Sequence, residues 1–237
     1  MTVSVIIPAY NEEKRIEKTL TAISDFMSAN FSSYEIVVVD DGSRDNTKGV
    51  CANFEDRKVK VLSYGENRGK GGAVKYGMLN TNSDFLICTD ADLPYGTQCI
   101  KDAFNILSQG ECDFVLGERT DDGAENKYPL FRKIMSFGFS LAVKTITGLN
   151  VPDTQCGFKA FTKACAHDIF GKTTISGWGF DVEAIFIAIK KGYHFKRLKV
   201  VLSHDEAGSK VNALADSLKM LGELKKIRKN NKNKLYD

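Results

Sequence analysis

Two stretches decide the fold: VSVIIPAYNEE at residues 3–13 and EIVVVDDGS at residues 35–43. Each is a nearly continuous apolar run that ends in polar and acidic residues. Runs of this length are typical of parallel strands covered on both faces. Between the two stretches, four apolar residues recur at helical spacing: Ile16, Leu20, Ile23 and Met27. A strand, a helix and a strand in this order predict a βαβ unit and therefore a parallel sheet.

The alternation continues along the first half of the chain, with further apolar runs at 59–63, 84–89 and 112–117. Beyond residue 120 it weakens. Residues 121–126 (DDGAEN) are typical of a loop, residues 131–147 of an amphipathic helix or helix pair, and residues 200–202 of one more strand. The fold class is therefore predicted to be α/β, with a Rossmann-like, mostly parallel sheet flanked by helices.

The end of the chain carries a helical stripe of apolar residues from 211 to 227 that leads into KKIRKNNKNK. Residues 219–237 have a net charge of +5, whereas the rest of the chain has −2. Basic character confined to one end does not predict a nucleic-acid partner. We predict a catalytic domain over residues 1–212 and a C-terminal amphipathic helix with a basic tail over 213–237.

Composition excludes several classes of protein. With 237 residues, of which 43% are hydrophobic and 27% charged, the chain is expected to fold as a globular domain without disulfide bonds. Its six cysteines are widely spaced and form no CxxC pair, which predicts neither a zinc site nor a redox motif. Residues 1–10 do not read as a secretory signal, and no apolar run reaches the roughly 18 residues of a spanning helix. A cytoplasmic protein is expected.

Acidic residues follow three of the predicted strands: PAYNEE at 8–13, DDGS at 40–43 and TDAD at 89–92. Because ligands of such sheets lie beyond the carboxyl ends of the strands, these clusters are expected to converge on one edge. The clusters contain no matching lysines. We therefore expect them to bind a cation or a hydrogen-bond donor.

Asp90-Ala91-Asp92 is the centre of this argument. Two carboxylates separated by one small residue can present oxygens to a divalent ion that also bridges a diphosphate. The alternative is that one of these aspartates caps a helix over residues 95–107. Asp40 and Asp41 are candidates to accept hydrogen bonds from a nucleobase or from ribose hydroxyls. Residues 67–72 (NRGKGG) are candidates to contact a diphosphate through their cations and their backbone.

Taken together, PAYNEE, VVVDDGSRDNT, NRGKGGAV and TDADL resemble the GT-A glycosyltransferases of the inverting family 2. Later segments, DTQCGFK (153–159), GWGFDVE (177–183) and GSK (208–210), resemble its polyprenyl-phosphate branch. Within that branch the pattern is similar to the dolichyl-phosphate β-glucosyltransferases and to the dolichyl-phosphate mannose synthases. The resemblance covers roughly residues 3–212.

The resemblance implies three sets of functional residues. The nucleotide-sugar would contact Pro8, Ala9, Tyr10, Asn11, Glu12, Asp40, Asp41, Lys70, Asp90, Ala91 and Asp92. The acceptor would contact Arg119, Arg132, Ser136, Gln155, Trp178 and Lys210. Catalysis would depend on Asp90, Asp92, Arg119, Arg132 and Asp181, with Mg²⁺ or Mn²⁺ held by Asp90 and Asp92.

Two positions depart from the resembled pattern. Mannose synthases often have Gln two residues after the second aspartate, where this chain has Pro94, and a small residue before the arginine, where it has Glu118. Pro94 favours a UDP-sugar, with glucose as the favoured hexose, over GDP-mannose. The predicted reaction is a metal-dependent, inverting transfer of that hexose to a polyprenyl or dolichyl phosphate.

Several alternatives remain open from the sequence. Asp181 and Glu183 are either catalytic or structural, and Asp181 is also a candidate helix cap. Trp178, the only tryptophan, either stacks on a sugar or anchors the core. A soluble glycan acceptor, a GDP-mannose donor, or a non-catalytic nucleotide-sugar-binding subunit are alternative functions.

A polyprenyl phosphate lives in a bilayer, so this prediction requires contact with a membrane surface. Apolar residues in 134–143 and cations in 225–234 are the candidate contacts at its cytoplasmic face. The alternatives are a packed core helix and a solvated helix end. A membrane-anchoring partner protein would serve the same purpose.

Overall fold

The computed structural model of the protein describes residues 1–120, 130–202 and 213–237, with side chains omitted for residues 56, 130–137 and 213–218. Within these ranges seven strands form one sheet: β1 (Val3–Ala9), β2 (Tyr34–Asp40), β3 (Val59–Ser63), β4 (Phe85–Cys88), β5 (Phe114–Thr120), β6 (Lys159–Thr162) and β7 (Phe195–Val201). Their order across the sheet is β3-β2-β1-β4-β6-β5-β7.

The same ranges contain eight α-helices: α1 (Ile16–Asn30), α2 (Thr47–Ala52), α3 (Lys70–Leu79), α4 (Gln98–Ser108), α5 (Leu130–Thr147), α6 (Lys163–Lys172), α7 (Phe180–Lys190) and α8 (Ala213–Lys232). A short 3-10 turn at Glu55–Arg57 precedes β3. The four apolar residues predicted to line the inner face of α1 are fully buried, as their spacing requires.

The sheet is mostly parallel, as predicted. β1 pairs in parallel with β2 and β4, and β5 with β7, whereas β6 runs antiparallel to both β4 and β5. The sequence did not reveal β6 because four residues are too short to show a period. β7 was predicted only at its end, because it is an edge strand whose polar residues alternate with partly buried ones.

Helices cover both faces of the sheet, so that the core has two halves. Helices α1, α2 and α4 pack on one face, and α3, α5, α6, α7 and α8 on the other. Leu224, Ile227 and Tyr236 from the C-terminal segment belong to the second half. All six cysteines are buried and free. No helix in the described part of the chain has the length and hydropathy needed to span a bilayer.

Candidate active site

The carboxyl ends of β2, β1 and β4 lie side by side, because these strands are neighbours in the sheet. Ala9 at the end of β1 is in register with Asp40 at the end of β2. Its carbonyl accepts a hydrogen bond from the Asp41 N–H at 2.8 Å. The Thr89 N–H donates to the Ile6 carbonyl at 3.1 Å, which sets Asp90 beside the same edge. The three acidic clusters therefore converge, as the sequence predicts for this architecture.

The loop after β1 is joined to the loop after β2 by hydrogen bonds in both directions. The Asn11 N–H donates to Ser43 Oγ at 3.0 Å, and the Arg44 N–H donates to Asn11 Oδ1 at 2.8 Å. Glu12 N–H donates to Thr47 Oγ1 at 2.8 Å. Asn11 adopts φ 55°, a left-handed conformation that Asn tolerates well. The segment 8–12, which is expected to contact the nucleoside, is thus joined to the loop after β2 through Asn11 and Glu12.

Asp40 and Asp41 are both buried, but their carboxylates bind different parts of the protein. Asp40 Oδ1 accepts the Ser43 N–H at 3.0 Å and so shapes the turn after β2. Asp41 Oδ1 accepts from Tyr64 Oη and from the Arg68 N–H, each at 2.7 Å. Asp41 therefore holds the start of the NRGKGG segment against the end of β2.

Helix α3 begins at Lys70, and its first backbone donors are already bonded. The N–H groups of Gly71 and Gly72 donate to the Ser176 carbonyl at 2.9 and 3.3 Å. Gly69 has φ +83°, and a Cβ there would lie 2.6 Å from the same carbonyl oxygen. The glycines thus permit two backbones to approach closely. Of the predicted diphosphate contacts, the Lys70 side chain remains the candidate, whereas these two N–H groups are engaged within the protein.

Lys70 Nζ lies 2.6 Å from Asp90 Oδ1, and in a second ion pair Lys159 Nζ lies 2.6 Å from Asp181 Oδ1. The expectation that the acidic clusters lack a matching lysine was wrong for Asp90, because Lys70 reaches it from the start of α3. Burial acts to lower the pKa of Lys70, but Asp90 and Asp181 outweigh it and raise that pKa above its usual range. Lys70 is therefore a permanent cation beside Asp90.

Asp90 and Asp92 are half-buried at the end of β4. Neither caps α4, whose N-cap is Thr97, so the helix-cap alternative was wrong; the helix begins at Gln98 because Leu93 and Gly96 adopt positive φ in the preceding turn. Among the described side chains, no group of three or more His, Cys, Asp or Glu forms a metal cluster. Two carboxylates nevertheless suit Mg²⁺ or Mn²⁺, which commonly take one or two protein carboxylates and complete their shell with phosphate and water.

Arg119 lies near the carboxyl end of β5 and forms a bidentate ion pair with Asp153. Its Nε and Nη2 lie 2.7 and 2.9 Å from the two carboxylate oxygens. Burial acts to raise the pKa of Asp153, but Arg119 outweighs it and the pKa falls below its usual value. The Gln155 N–H also donates to Asp153 at 3.2 Å, so Asp153 orients two residues that were predicted to bind the acceptor.

Three predicted acceptor residues lie beyond what the structure describes. Arg132 and Ser136 fall within α5, but their side chains are outside the described set. Lys210 lies between the described ranges.

Trp178 and Asp181 occupy places that decide two of the alternatives. Trp178 is 40% exposed, and Lys70 Nζ lies 5.4 Å from its ring centroid, so it is not a core anchor.

Asp181 lies inside the first turn of α7, whose N-cap is Gly179, and its carboxylate faces Lys159, so it is not a helix cap. Burial raises the pKa of Asp181, with Lys159 and Lys70 opposing. Glu183 is fully buried and accepts hydrogen bonds within the fold, which is a structural role.

Sequence reasoning missed four residues that build the site: Asp153, Gly157, Lys159 and Glu223. The first three lie within DTQCGFK, where an aspartate and a lysine bracket an otherwise uncharged segment. Lys159 is the first residue of β6, which the sequence did not reveal, so nothing in the sequence showed that this lysine is buried and needs a partner. Glu223 gave no signal, since a glutamate in a basic amphipathic helix reads as solvent-exposed.

The fold and this acidic edge define a GT-A glycosyltransferase. Residues 4–170 match the Glycosyl transferase family 2 domain, and the chain belongs to this family. It is 32% identical to the dolichyl-phosphate beta-glucosyltransferase of Dictyostelium discoideum, over 95% of this chain and 73% of that protein. It is 33% identical to the Saccharomyces cerevisiae protein of the same name, with the same coverage.

Solved structures agree on the fold. Glucosyl-3-phosphoglycerate synthase from Mycobacterium tuberculosis, in complex with uridine-diphosphate, superposes with a TM-score of 0.74 at 18% identity, covering 96% of this chain and 80% of that one. The same enzyme with Mn²⁺, uridine-diphosphate-glucose and phosphoglyceric acid superposes with a TM-score of 0.72 at 17% identity, covering 96% and 80%.

Proposed function

We propose that this chain transfers glucose from UDP-glucose to a polyprenyl phosphate, such as dolichyl phosphate, with inversion at the anomeric carbon. The observation that carries the proposal is its similarity, along 95% of its length, to proteins named dolichyl-phosphate beta-glucosyltransferase. The donor is further supported by the uridine-diphosphate-glucose held by the structural neighbour of the same fold.

The donor would lie on the edge formed by the loops after β1, β2 and β4. Asp90 and Asp92 would hold Mg²⁺ or Mn²⁺, which when bound would neutralise charge on the leaving diphosphate. Lys70 is a second cation for that diphosphate, already oriented by Asp90 at 2.6 Å. Because the reaction expels an anion, fixed positive charge at this point stabilises the transition state.

The acceptor step needs orientation more than a base. A phosphate oxygen attacks the anomeric carbon, the bond from that carbon to the UDP oxygen breaks, and UDP leaves. The attacking oxygen is already ionised at neutral pH. Arg119, fixed by its two bonds to Asp153, is the described residue best suited to orient that anion. Asp181 is paired with Lys159 and also stabilises the charge of Lys70 electrostatically, so we assign it to holding Lys70 as a cation rather than to proton transfer.

Access to a lipid substrate implies that the protein docks on a membrane surface, and we assign this docking to α8 at the cytoplasmic face. The inner side of α8 is buried through Leu224 and Ile227. Six cations of α8 are exposed: Lys219, Lys225, Lys226, Arg228, Lys229 and Lys232. Each adds about 1 kcal/mol of attraction near an anionic bilayer.

The test is transfer of radiolabelled glucose from UDP-glucose to a short polyprenyl phosphate, with Mg²⁺, with Mn²⁺ and with EDTA, and with GDP-mannose in parallel. Metal-dependent label in the organic phase from UDP-glucose alone is the expected result. Label from GDP-mannose would correct the donor. Release of UDP without organic-phase product would reject the lipid acceptor and direct the search to soluble glycans.

A further inference from the structure

A loop between α6 and α7, residues 174–179, is held at both ends by carboxylates; we call it the Trp178 loop. At its start, the N–H groups of Thr174 and Ile175 both donate to Glu183 Oε2 at 2.8 Å. At its end, the Gly179 N–H donates to Glu223 Oε2 at 2.7 Å. Glu183 belongs to α7, next in the chain, whereas Glu223 comes from α8, more than forty residues away.

Glu223 fits closely against both glycines that flank Trp178. A Cβ on Gly177 would lie 2.2 Å from Glu223 Oε1, and a Cβ on Gly179 would lie 2.7 Å from Oε2. Both distances are shorter than any van der Waals contact. The absence of a side chain at Gly177 and at Gly179 therefore allows this carboxylate to lie directly against the loop backbone.

The opposite side of the Trp178 loop contacts the proposed donor site. The Ser176 carbonyl accepts the N–H groups of Gly71 and Gly72 at the start of α3. The ring of Trp178 lies 5.4 Å from Lys70 Nζ, which in turn pairs with Asp90. A displacement of this loop would therefore reach the cation proposed to receive the leaving diphosphate.

We propose that Glu223 is a positioning residue for the transfer reaction: it fixes the Trp178 loop and, through it, Lys70. The proposal rests on the proposed function for the reaction that is affected, but its structural part stands independently. It also gives α8 two roles, since one side faces solvent with its cations and the other carries the carboxylate that holds the loop. Glu223 acts through Trp178 and Lys70 and does not itself contact substrate.

Trp178 is the only tryptophan of the chain, so fluorescence excited at wavelengths that tyrosine does not absorb reports on this loop alone. We would compare Glu223→Ala, Glu223→Gln and the wild type, without ligand, by emission maximum and acrylamide quenching. Glu223→Ala should shift the emission to longer wavelength and raise quenching, because the ring gains solvent. Glu223→Gln should resemble the wild type, because its amide oxygen still accepts the Gly179 N–H. Gly222→Ala, the adjacent position with open space around it, is the matched control.

Steady-state kinetics give the second readout. Glu223→Ala should lower kcat for transfer roughly tenfold or more, as misplacement of a catalytic group does, while Glu223→Gln and Gly222→Ala stay within about threefold. Thermal denaturation of each variant identifies one that has simply unfolded. If Glu223→Ala cannot be purified folded, Gly177→Ala in the otherwise wild-type chain replaces it, because its methyl group would displace the loop from the Glu223 carboxylate; unchanged fluorescence and unchanged kcat in that variant would overturn the proposal.

A double substitution tests the contact itself. Gly177→Ala should impair the wild type, because its methyl group meets the Glu223 carboxylate. It should add no further loss to Glu223→Ala, because the three atoms nearest to that methyl all belong to the Glu223 carboxyl group, which alanine lacks. Additive losses would overturn the proposal.

The other outcomes are also decisive. Unchanged fluorescence in Glu223→Ala, or a Gln variant as impaired as the Ala variant, would overturn the proposal. So would altered fluorescence with unaltered transfer. If the wild type transfers no sugar to any acceptor, the proposed function fails, and the fluorescence of the ligand-free protein still decides whether Glu223 positions the loop.

Discussion

Gly157 lies directly against the carboxylate of Asp90: a Cβ at this glycine would be only 2.0 Å from Oδ2. The other oxygen, Oδ1, is bound by Lys70. Asp90 is thus enclosed between a backbone and a cation, on a strand end that is itself fixed in the sheet. The position of the first aspartate of the Asp90-Ala91-Asp92 motif depends on a residue far from it in sequence.

We expect Gly157→Ala to reduce transfer by about a hundredfold or more, because the added methyl group forces Asp90 off its position. The measurement is kcat/KM for UDP-glucose at saturating metal. Gly171→Ala, which introduces the same methyl group on α6 where no atom lies within 4 Å, should keep full activity. A fully active Gly157→Ala would mean that Asp90 can move without consequence.

Lys70→Gln should lower kcat by roughly 10²- to 10³-fold, because it removes a fixed positive charge from the leaving diphosphate. Raising the metal concentration should not restore it, since an ion held by Asp90 and Asp92 would not replace the cation of Lys70. Lys60→Gln, on the exposed side of β3, is the control. Restoration by metal would indicate that Lys70 serves only to neutralise Asp90.

The sequence predicts those parts of the molecule whose signals are local. Apolar runs predict β1, β2 and β4, and the parallel arrangement of these strands predicts that the acidic clusters meet at the edge of the sheet formed by their carboxyl ends. The pairs Lys70 with Asp90 and Lys159 with Asp181 were not predictable, because each joins residues from distant segments and depends on helix placement. Likewise, the close backbone contact between Gly69 and Ser176 is a tertiary feature, so the glycines read from sequence as a flexible phosphate loop.

Arg119→Lys should raise KM for the polyprenyl phosphate roughly tenfold, with KM for UDP-glucose unchanged. A lysine has one ammonium group and cannot reproduce two parallel bonds to Asp153 while facing an acceptor anion. Kinetics with each substrate varied in turn measure both values. Arg197→Lys, whose Nη1 lies 3.4 Å from Glu118 on the neighbouring strand, serves as the control. An equal rise in both KM values would count against an acceptor role.

Asp153→Asn should change how stability depends on acid. The native pKa of Asp153 is below its usual value, so its pairing with Arg119 stabilises the fold above pH about 4, and this stabilisation is lost as pH falls through the native pKa. The wild type should exceed Asp153→Asn by about 1 kcal/mol at pH 7, a modest figure because Arg119 is partly exposed. Denaturant unfolding at pH 7 and pH 3 measures the difference. A gap that is equal at both pH values would show that the ion pair contributes nothing.

Tyr236→Phe tests whether the C-terminal segment stabilises the fold through Glu183. Tyr236 is fully buried, and its hydroxyl donates to Glu183 Oε1 at 2.6 Å. Burial, together with this carboxylate, raises the pKa of Tyr236, so it remains a donor. Removing the hydroxyl leaves a buried carboxylate short of one hydrogen bond, at a cost of about 1–3 kcal/mol. For a chain of this length Tm should fall by roughly 2–12 °C.

The matched control is Leu235→Ala, one residue earlier, where the side chain is 51% exposed and its loss should shift Tm very little. Calorimetry of both variants at neutral pH gives the comparison. Because Glu183 also holds the start of the Trp178 loop, Tyr236→Phe should in addition raise the quenching of Trp178 slightly at temperatures well below Tm. An unchanged Tm would mean that the remaining donors to Glu183 satisfy it without the tyrosine.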